Sequence, residues 1–234
     1  MDLTLRDTPL LDYRHPDLDA LVAARGWREL APHDRIGAIY RFVRDEIAFG
    51  YNAADDLPAS SVLADGYGQC NTKTTLLMAL LRAAGVPCRF HGAAIRKELQ
   101  RGVVEGLAYR LAPAEIIHSW AEVLVDGRWI ELEGVILDAA YLDGLRACVA
   151  PSGPLLGYGA GTEAIDAPAV EWTGDDTAIQ KTGLARDFGA FDDPDAFYRA
   201  RGANLGGLRG LVYRLVVRRR MNRRVEALRA GRGG

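Results

Sequence analysis

The most restrictive feature of this chain is the run that starts at Gly66. Gly66-Tyr67-Gly68-Gln69-Cys70 carries glycines on both sides of Tyr67, a turn signal, and it leads directly into helical periodicity from Asn71 to Ala84. Leu77, Leu80, Leu81 and Ala84 form one stripe of that helix, and Leu76, Met78 and Ala79 extend the apolar surface around it. A helix apolar on most sides must be enclosed by its domain. Gly85 and Pro87 then stop it, in the order expected past a helix C-terminus. Cys70 therefore stands at the first turn of a central helix, where unpaired backbone N–H groups and the helix dipole favour negative charge. The thiolate is the nucleophilic form of cysteine, and such a place beside an imidazolium brings a thiol from ~8.5 into the range ~3.5–7.5. The same N–H groups are able to hold an oxyanion. Taken alone, a cysteine at a helix start reads first as a core residue, so a catalytic reading needs a base.

The elements around this helix predict an α+β domain. Ile36, Ile39, Tyr40, Val43 and Ile47 mark the buried face of an earlier helix, with Asp34 at its N-cap or first turn and Gly50 as its stop. Asn52 to Leu57 is a polar loop, Pro58 to Leu63 reads as one or two helical turns, and Val86 to His91 begins a strand. Ile117 to Gly134 is a hairpin, because two runs rich in β-branched and aromatic residues flank Asp126-Gly127. Beyond Ala150 frequent glycine and proline obscure the pattern, and helices resume at Pro194 to Ala200 and Leu208 to Arg229. Helices first and an antiparallel sheet afterwards fit α+β architecture.

The hairpin supplies the candidate base. With a two-residue turn Val125 pairs with Arg128, so Trp120 would face Glu133 and His118 would face Val135. Paired side chains share a sheet face, which puts Glu133 a diagonal step, ~7–8 Å by Cα, from His118. Glu131 is one step further away, and Asp138 falls on the opposite parity beyond the ladder. Glu133 is thus the favoured orienting group, subject to any bulge. Nucleophile, base and orienting acid are the logic of a covalent-catalysis triad.

The remaining residues offer no competing chemistry. Cys88 and Cys148 read as core thiols, and His15 and His33 as surface or capping residues. Cys88 and His91 have CxxH spacing, but on a strand they point to opposite faces, so a shared metal is not expected, and no other Cys/His cluster suggests one. There is no acidic loop with calcium-ligand spacing. Met1 to Asp7 lacks a signal-peptide pattern, no window reaches the ~20 apolar residues of a membrane span, and three cysteines are an odd number. Reduced thiols in a cytoplasmic protein follow as the expectation.

Charge separates the end of the chain from the rest. Arg201 to Gly234 holds ten arginines and one acid, Glu226, while the remainder holds 19 basic and 30 acidic residues. The division expected is a body over 1–200, with its core at about 34–145, and a basic amphipathic helix or tail over 201–234. Leu208, Leu211, Val212, Leu215 and Val216 form its apolar stripe, interleaved with Arg209, Arg214, Arg218, Arg219 and Arg220, and Arg223 and Arg224 continue the charge. The stripe either packs on the body, with the arginines toward acidic regions such as Asp192-Asp193 or solvent, or meets an anionic membrane surface or nucleic acid. Packing on the body is the reading preferred.

Three ordered motifs now carry a resemblance. Tyr67-Gly68-Gln69-Cys70 at a helix start, His118-Ser-Trp-Ala-Glu-Val, and Trp129-Ile-Glu-Leu-Glu133 after an Asp-Gly turn resemble the transglutaminase-like superfamily over roughly Asp34 to Leu145. The resemblance implies a papain-like fold, a bacterial source, no cofactor, and a peptide or protein substrate. It implies Cys70 as nucleophile, His118 as base and acid, and Glu133 where the family usually has aspartate. Gln69, Tyr67 and Trp120 become oxyanion or cleft candidates, with the backbone N–H of Cys70 the better oxyanion donor. The reaction implied is acyl transfer or hydrolysis at an amide through a Cys70 thioester, water being the acceptor favoured for bacterial members of this size. The alternative is a peptide- or protein-binding module that kept the fold and lost turnover.

Overall fold

The computed structural model describes residues 3–204 and 207–232; the side chains of residues 207, 208 and 209 lie outside the described residues, and with them the Leu208 and Arg209 of the expected stripe. The chain runs α1 (Pro16–Ala24), α2 (Pro32–Arg41), β1 (Ala48–Phe49), α3 (Ala59–Asp65), β2 (Tyr67–Gly68), α4 (Cys70–Ala83), β3 (Cys88–Arg96), α5 (Gly106–Leu111), β4 (Glu115–Val125), β5 (Arg128–Glu131), α6 (Ala139–Cys148), β6 (Leu155–Gly157), β7 (Ala160–Thr162), β8 (Leu184–Phe191), α7 (Pro194–Arg201), α8 (Gly207–Val212) and α9 (Arg218–Arg229). It is an α+β protein, with α4 against an antiparallel sheet ordered β5-β4-β3-β8.

Every residue of α4 is buried, including the polar ones. Each of those finds a partner, as a polar group removed from water must. Thr74 Oγ1 donates to Ser119 O at 3.2 Å, Ser119 Oγ donates to Asn71 Oδ1 at 2.9 Å, and Asn71 Nδ2 donates to Ile117 O at 3.2 Å. These bonds lock the start of α4 to the first half of β4. Arg82, near the other end, donates to the carbonyls of Arg6, Cys88 and Asp192. Lys73 is wholly buried, and its Nζ donates to Arg44 O at 2.9 Å and Ile136 O at 3.1 Å. Burial brings the Lys73 ammonium down to about 7.

Two expectations need correction here. The helix that begins at Pro32 does not run on to Gly50: it passes into a π turn at Phe42–Glu46 and becomes extended at Ile47. The reason is tertiary, since Ala48–Phe49 pair in parallel with Tyr67–Gly68. Gly68 is therefore a strand residue and no part of a tight turn. A side chain there would meet Thr72 Oγ1 at 2.7 Å and Lys73 Cγ at 2.9 Å.

The Asp126-Gly127 turn closes the hairpin with both residues at positive φ, +48° and +81°, as a two-residue turn of this type requires. Val125 pairs with Arg128, and the ladder runs as far as Glu122 with Glu131. It then stops. Glu133 opens a 3₁₀ turn over Glu133–Val135, so Trp120–Glu133 and His118–Val135 are not strand pairs. The strand of this four-stranded sheet that sequence periodicity did not show is β8, which pairs with β3 through two register shifts.

The C-terminal helix packs on the body by a different face from the one expected. Met221, Val225 and Leu228 are buried, whereas Leu211, Val212, Leu215 and Val216 are exposed. Arg229 pairs with Asp138 at 2.8 Å. Asp193, expected to face the tail, pairs with Arg6 instead and caps α7. Gly144 of α6 lets the helix come close, since a Cβ there would lie 2.0 Å from Leu228 O.

Candidate active site

The cysteine, the histidine and the acid come from three places in the chain. α4 presents Cys70 at its first residue, β4 presents His118 beside Ser119, and the 3₁₀ turn after β5 presents Glu133. His118 Nε2 bonds Glu133 Oε1 at 3.1 Å. The other ring nitrogen, Nδ1, is buried with no hydrogen-bond partner, and the imidazole lies close enough to the Cys70 sulfur to feel its charge. Burial alone would push the imidazole down; the thiol group and Glu133 outweigh it and hold His118 at about 9. At neutral pH the ring is therefore an imidazolium facing sulfur.

Glu133 is completely buried, so its carboxylate must be satisfied by the protein. It accepts from His118, from Ile179 N and from Gln180 N. The donors at 179 and 180 belong to a segment that runs beside β5, with Thr177 N donating to Glu131 O at 2.8 Å. The backbone at Ile179 and Gln180, in a stretch unreadable as regular structure in the sequence, thus fixes the Glu133 carboxylate. The rejected alternatives have other tasks. Glu131 pairs with Lys181, and Asp138 caps α6 through Tyr141 N at 2.9 Å while accepting from Phe49 N at 2.7 Å.

The three cleft candidates are placed differently. Gln69 has both ends of its amide engaged, with Oε1 accepting from Asn52 N at 2.8 Å and Nε2 donating to Asp55 Oδ1 at 3.1 Å. This holds the residue before Cys70, at the end of α4 whose first-turn N–H groups have no intrahelical partner. Tyr67 lies under the C-terminal helix, its hydroxyl accepting from Arg218 at 3.3 Å. The Trp120 ring is tilted against His118 at 5.6 Å and stacked on His91 at 4.2 Å, so it walls one side of the imidazole.

Sequence reasoning missed the residues that close the site. Asp55 Oδ1 accepts from Gln69 and Asn71, which flank Cys70. Its Oδ2 accepts from Asn204 Nδ2 at 2.9 Å. Asn204 Oδ1 in turn accepts from Ile117 N at 2.6 Å, next to His118. Asn204 therefore spans from the Cys70 side to the His118 side. Tyr51, Tyr198 and Tyr213 all feel the charge of Cys70, and burial holds each phenol protonated far above neutral pH. Tyr198 and Tyr213 are anchored to the carbonyls of Asp55 and Asn52, each at 3.2 Å. The result is a closed site: Cys70 is 8% exposed, His118 1% and Glu133 0%. A lone asparagine in a weakly patterned stretch carries no sequence signal of this role.

Cys88 points away from His91, with its sulfur against Met78 O at 3.7 Å. Across the strands, however, His91, Glu122 and Glu131 offer ligand atoms within 4.8 Å of one another, a grouping that spacing along one strand does not reveal. Arg89 pairs with Glu122, Lys181 with Glu131, and His91 bridges Glu122 and Asp187. The carboxylates are thus already neutralised by protein cations. Burial works against the charged form of His91, yet Glu122 and Asp187 raise it overall, as expected of an ion-paired cluster.

Comparison with known proteins adds a family to this geometry. The model of the transglutaminase-like superfamily matches residues 23–134. Among solved structures, a candidate cysteine protease from Cytophaga hutchinsonii is similar at 15% identity and a TM-score of 0.48, over 87% of this chain and 50% of that one. The chain thus spans half the length of that protein. No curated protein matches the chain.

Proposed function

We propose that this chain, whose residues 23–134 match the model of the transglutaminase-like superfamily, opens an amide bond through a thioester on Cys70. The observation that carries the proposal is the state of His118: one ring nitrogen is held by buried Glu133, and the other is left unpartnered beside the sulfur. In the proposed reaction the thiol proton resides on His118 Nδ1, and sulfur attacks the carbonyl carbon. The carbonyl electron pair moves to oxygen, where the first-turn N–H groups of α4 stabilise it. Collapse breaks the C–N bond, and the Nδ1 proton passes to the leaving amine. Water, deprotonated by the now neutral His118, then attacks the thioester and releases the acid. An amine in its place gives a new amide.

Glu133 keeps the imidazole oriented and compensates its charge while the ion pair exists. The test is alkylation by iodoacetamide followed by peptide mass spectrometry. Cys70 reacts faster than Cys88 or Cys148, and His118→Ala slows Cys70 alone. Equal rates at the three cysteines would sink the proposal. Denatured casein with and without dansyl-cadaverine then separates hydrolysis from amine transfer.

A binding module on the same fold is the second reading, and the closure of the site favours it. A Cys70→Ala variant decides between them. It loses all turnover under the enzymatic reading and keeps the biological activity under the binding one.

A further inference from the structure

The outward face of the C-terminal helix matches neither the triad nor the sheet. From Gly207 to Arg229 the backbone is continuously helical, through α8, a π turn at Tyr213–Val217 and α9. Its inward side is anchored. Tyr213 donates to Asn52 O, Asn222 exchanges bonds with the backbone of Tyr51, and Met221, Val225 and Leu228 are buried. On the other side Leu211, Val212, Leu215 and Val216 are between 44% and 54% exposed. Ten large apolar side chains are exposed among the described residues, and these four fall within six consecutive positions. A concentration of that kind marks an interaction surface, where scattered single residues would not.

The charge beside the ridge has one sign. Arg214, Arg219, Arg220 and Arg223 are exposed, and none pairs with a carboxylate among the described residues. Glu226 is the only acid of the segment 201–234. At 3.6 residues per turn, Arg219 and Arg223 continue the same outward face as Leu215 and Val216.

We infer that this face docks on an anionic lipid surface, with the four aliphatic side chains at the headgroup–acyl boundary and the arginines among the headgroup phosphates. Three observations favour lipid over other occupants. The aliphatic side chains protrude from a helix, and so suit a soft, laterally uniform phase. Their exposure disfavours nucleic acid, which would be served by the arginines alone. The arginines lack the interspersed acids that would set register with a protein partner. Because the inward face stays on the body, docking does not require the helix to leave it. The inference stands apart from the triad chemistry, and its failure would leave that chemistry untouched.

The test is co-sedimentation of the full chain with vesicles of phosphatidylcholine containing about 30% phosphatidylserine, against phosphatidylcholine alone. Binding is expected only to the anionic vesicles and weakens as salt rises. The exposed double variant Leu211→Gln/Leu215→Gln lowers partitioning by about tenfold or more, as does Arg219→Gln/Arg223→Gln. Circular dichroism verifies that both variants fold. No binding to anionic vesicles at low salt overturns the inference. So does binding that the leucine variant leaves unchanged, which would mean charge attraction alone. Retention of duplex DNA without vesicle binding, or a concentration-dependent dimer abolished by the leucine variant without vesicle binding, assigns the face to another partner and equally overturns it.

Discussion

Asn204→Ala removes the side chain that spans from the Cys70 side of the site to the His118 side. Two good hydrogen bonds disappear: Ile117 N to Asn204 Oδ1 at 2.6 Å, and Asn204 Nδ2 to Asp55 Oδ2 at 2.9 Å. A third, Nδ2 to Ile117 O at 3.3 Å, is long and counts for little. A neutral bond contributes about 1 kcal/mol and a bond to a carboxylate about 1.5–3 kcal/mol. The closed arrangement therefore loses about 3 kcal/mol relative to an open one, which is about 100-fold in population at about 1.4 kcal/mol per decade. If opening of this contact limits access to a thiol only 8% exposed, the iodoacetamide rate at Cys70 rises between about tenfold and 100-fold. Cys148, partly exposed, is the internal reference, and Cys88, fully buried, reports global unfolding. Asn204→Asp acts in the same direction, because it sets a carboxylate against Asp55. An unchanged Cys70 rate in both variants would refute the reasoning. So would a parallel rise at all three cysteines, since that signals loss of the whole fold.

Glu133→Gln lowers the His118 pKa from about 9, and the alkaline limb of the Cys70 alkylation profile moves toward neutral pH; a limb that stays near pH 9 would remove Glu133 from its role. For stability against pH the two buried cations act in opposite senses. His118 is raised above its ordinary 6.5, so its contribution is complete below pH ~6.5 and is lost as pH rises through about 9. Lys73 is lowered from 10.5 to about 7, so the folded state gains stability as pH climbs from about 7 to ~10.5. Lys73→Met abolishes that gain in urea midpoints measured across the window, and persistence of the gain would contradict the burial of the ammonium. Gly144→Ala places a methyl against the Leu228 carbonyl, destabilises the packing of α6 on α9 by about 1–3 kcal/mol, and makes the C-terminal helix the first site of limited proteolysis; an unaltered cleavage pattern would count against the close approach.

Much of the fold was legible because it rests on local rules. The apolar girth of 71–84 made α4 central, and Asp126-Gly127 placed the hairpin turn and the register from Val125–Arg128 to Glu122–Glu131, which ends short of the Glu133 position extrapolated from it. Those readings depend on periods of 3.6 and 2 and on turn chemistry, which neighbouring residues dictate. The closing of the site was not legible in the same way. Asp55 and Asn204 are ordinary polar residues of weakly patterned segments, and they acquire a role only when residues 149 positions apart in the chain meet.

Taken together, the chain's local order determined the helix that offers the thiol, the ribbon that offers the imidazole, and the composition of a basic final helix. Tertiary packing alone decided that Glu133 leaves its ladder to be held by the backbone at 179 and 180, and that Asn204 ties the two sides of the site. It also decided that the final helix turns Met221, Val225 and Leu228 inward and its upstream aliphatic residues outward. Periodicity reports which residues share a face of an element. Which face is covered depends on what the rest of the chain brings to it, and that is a property of the folded whole.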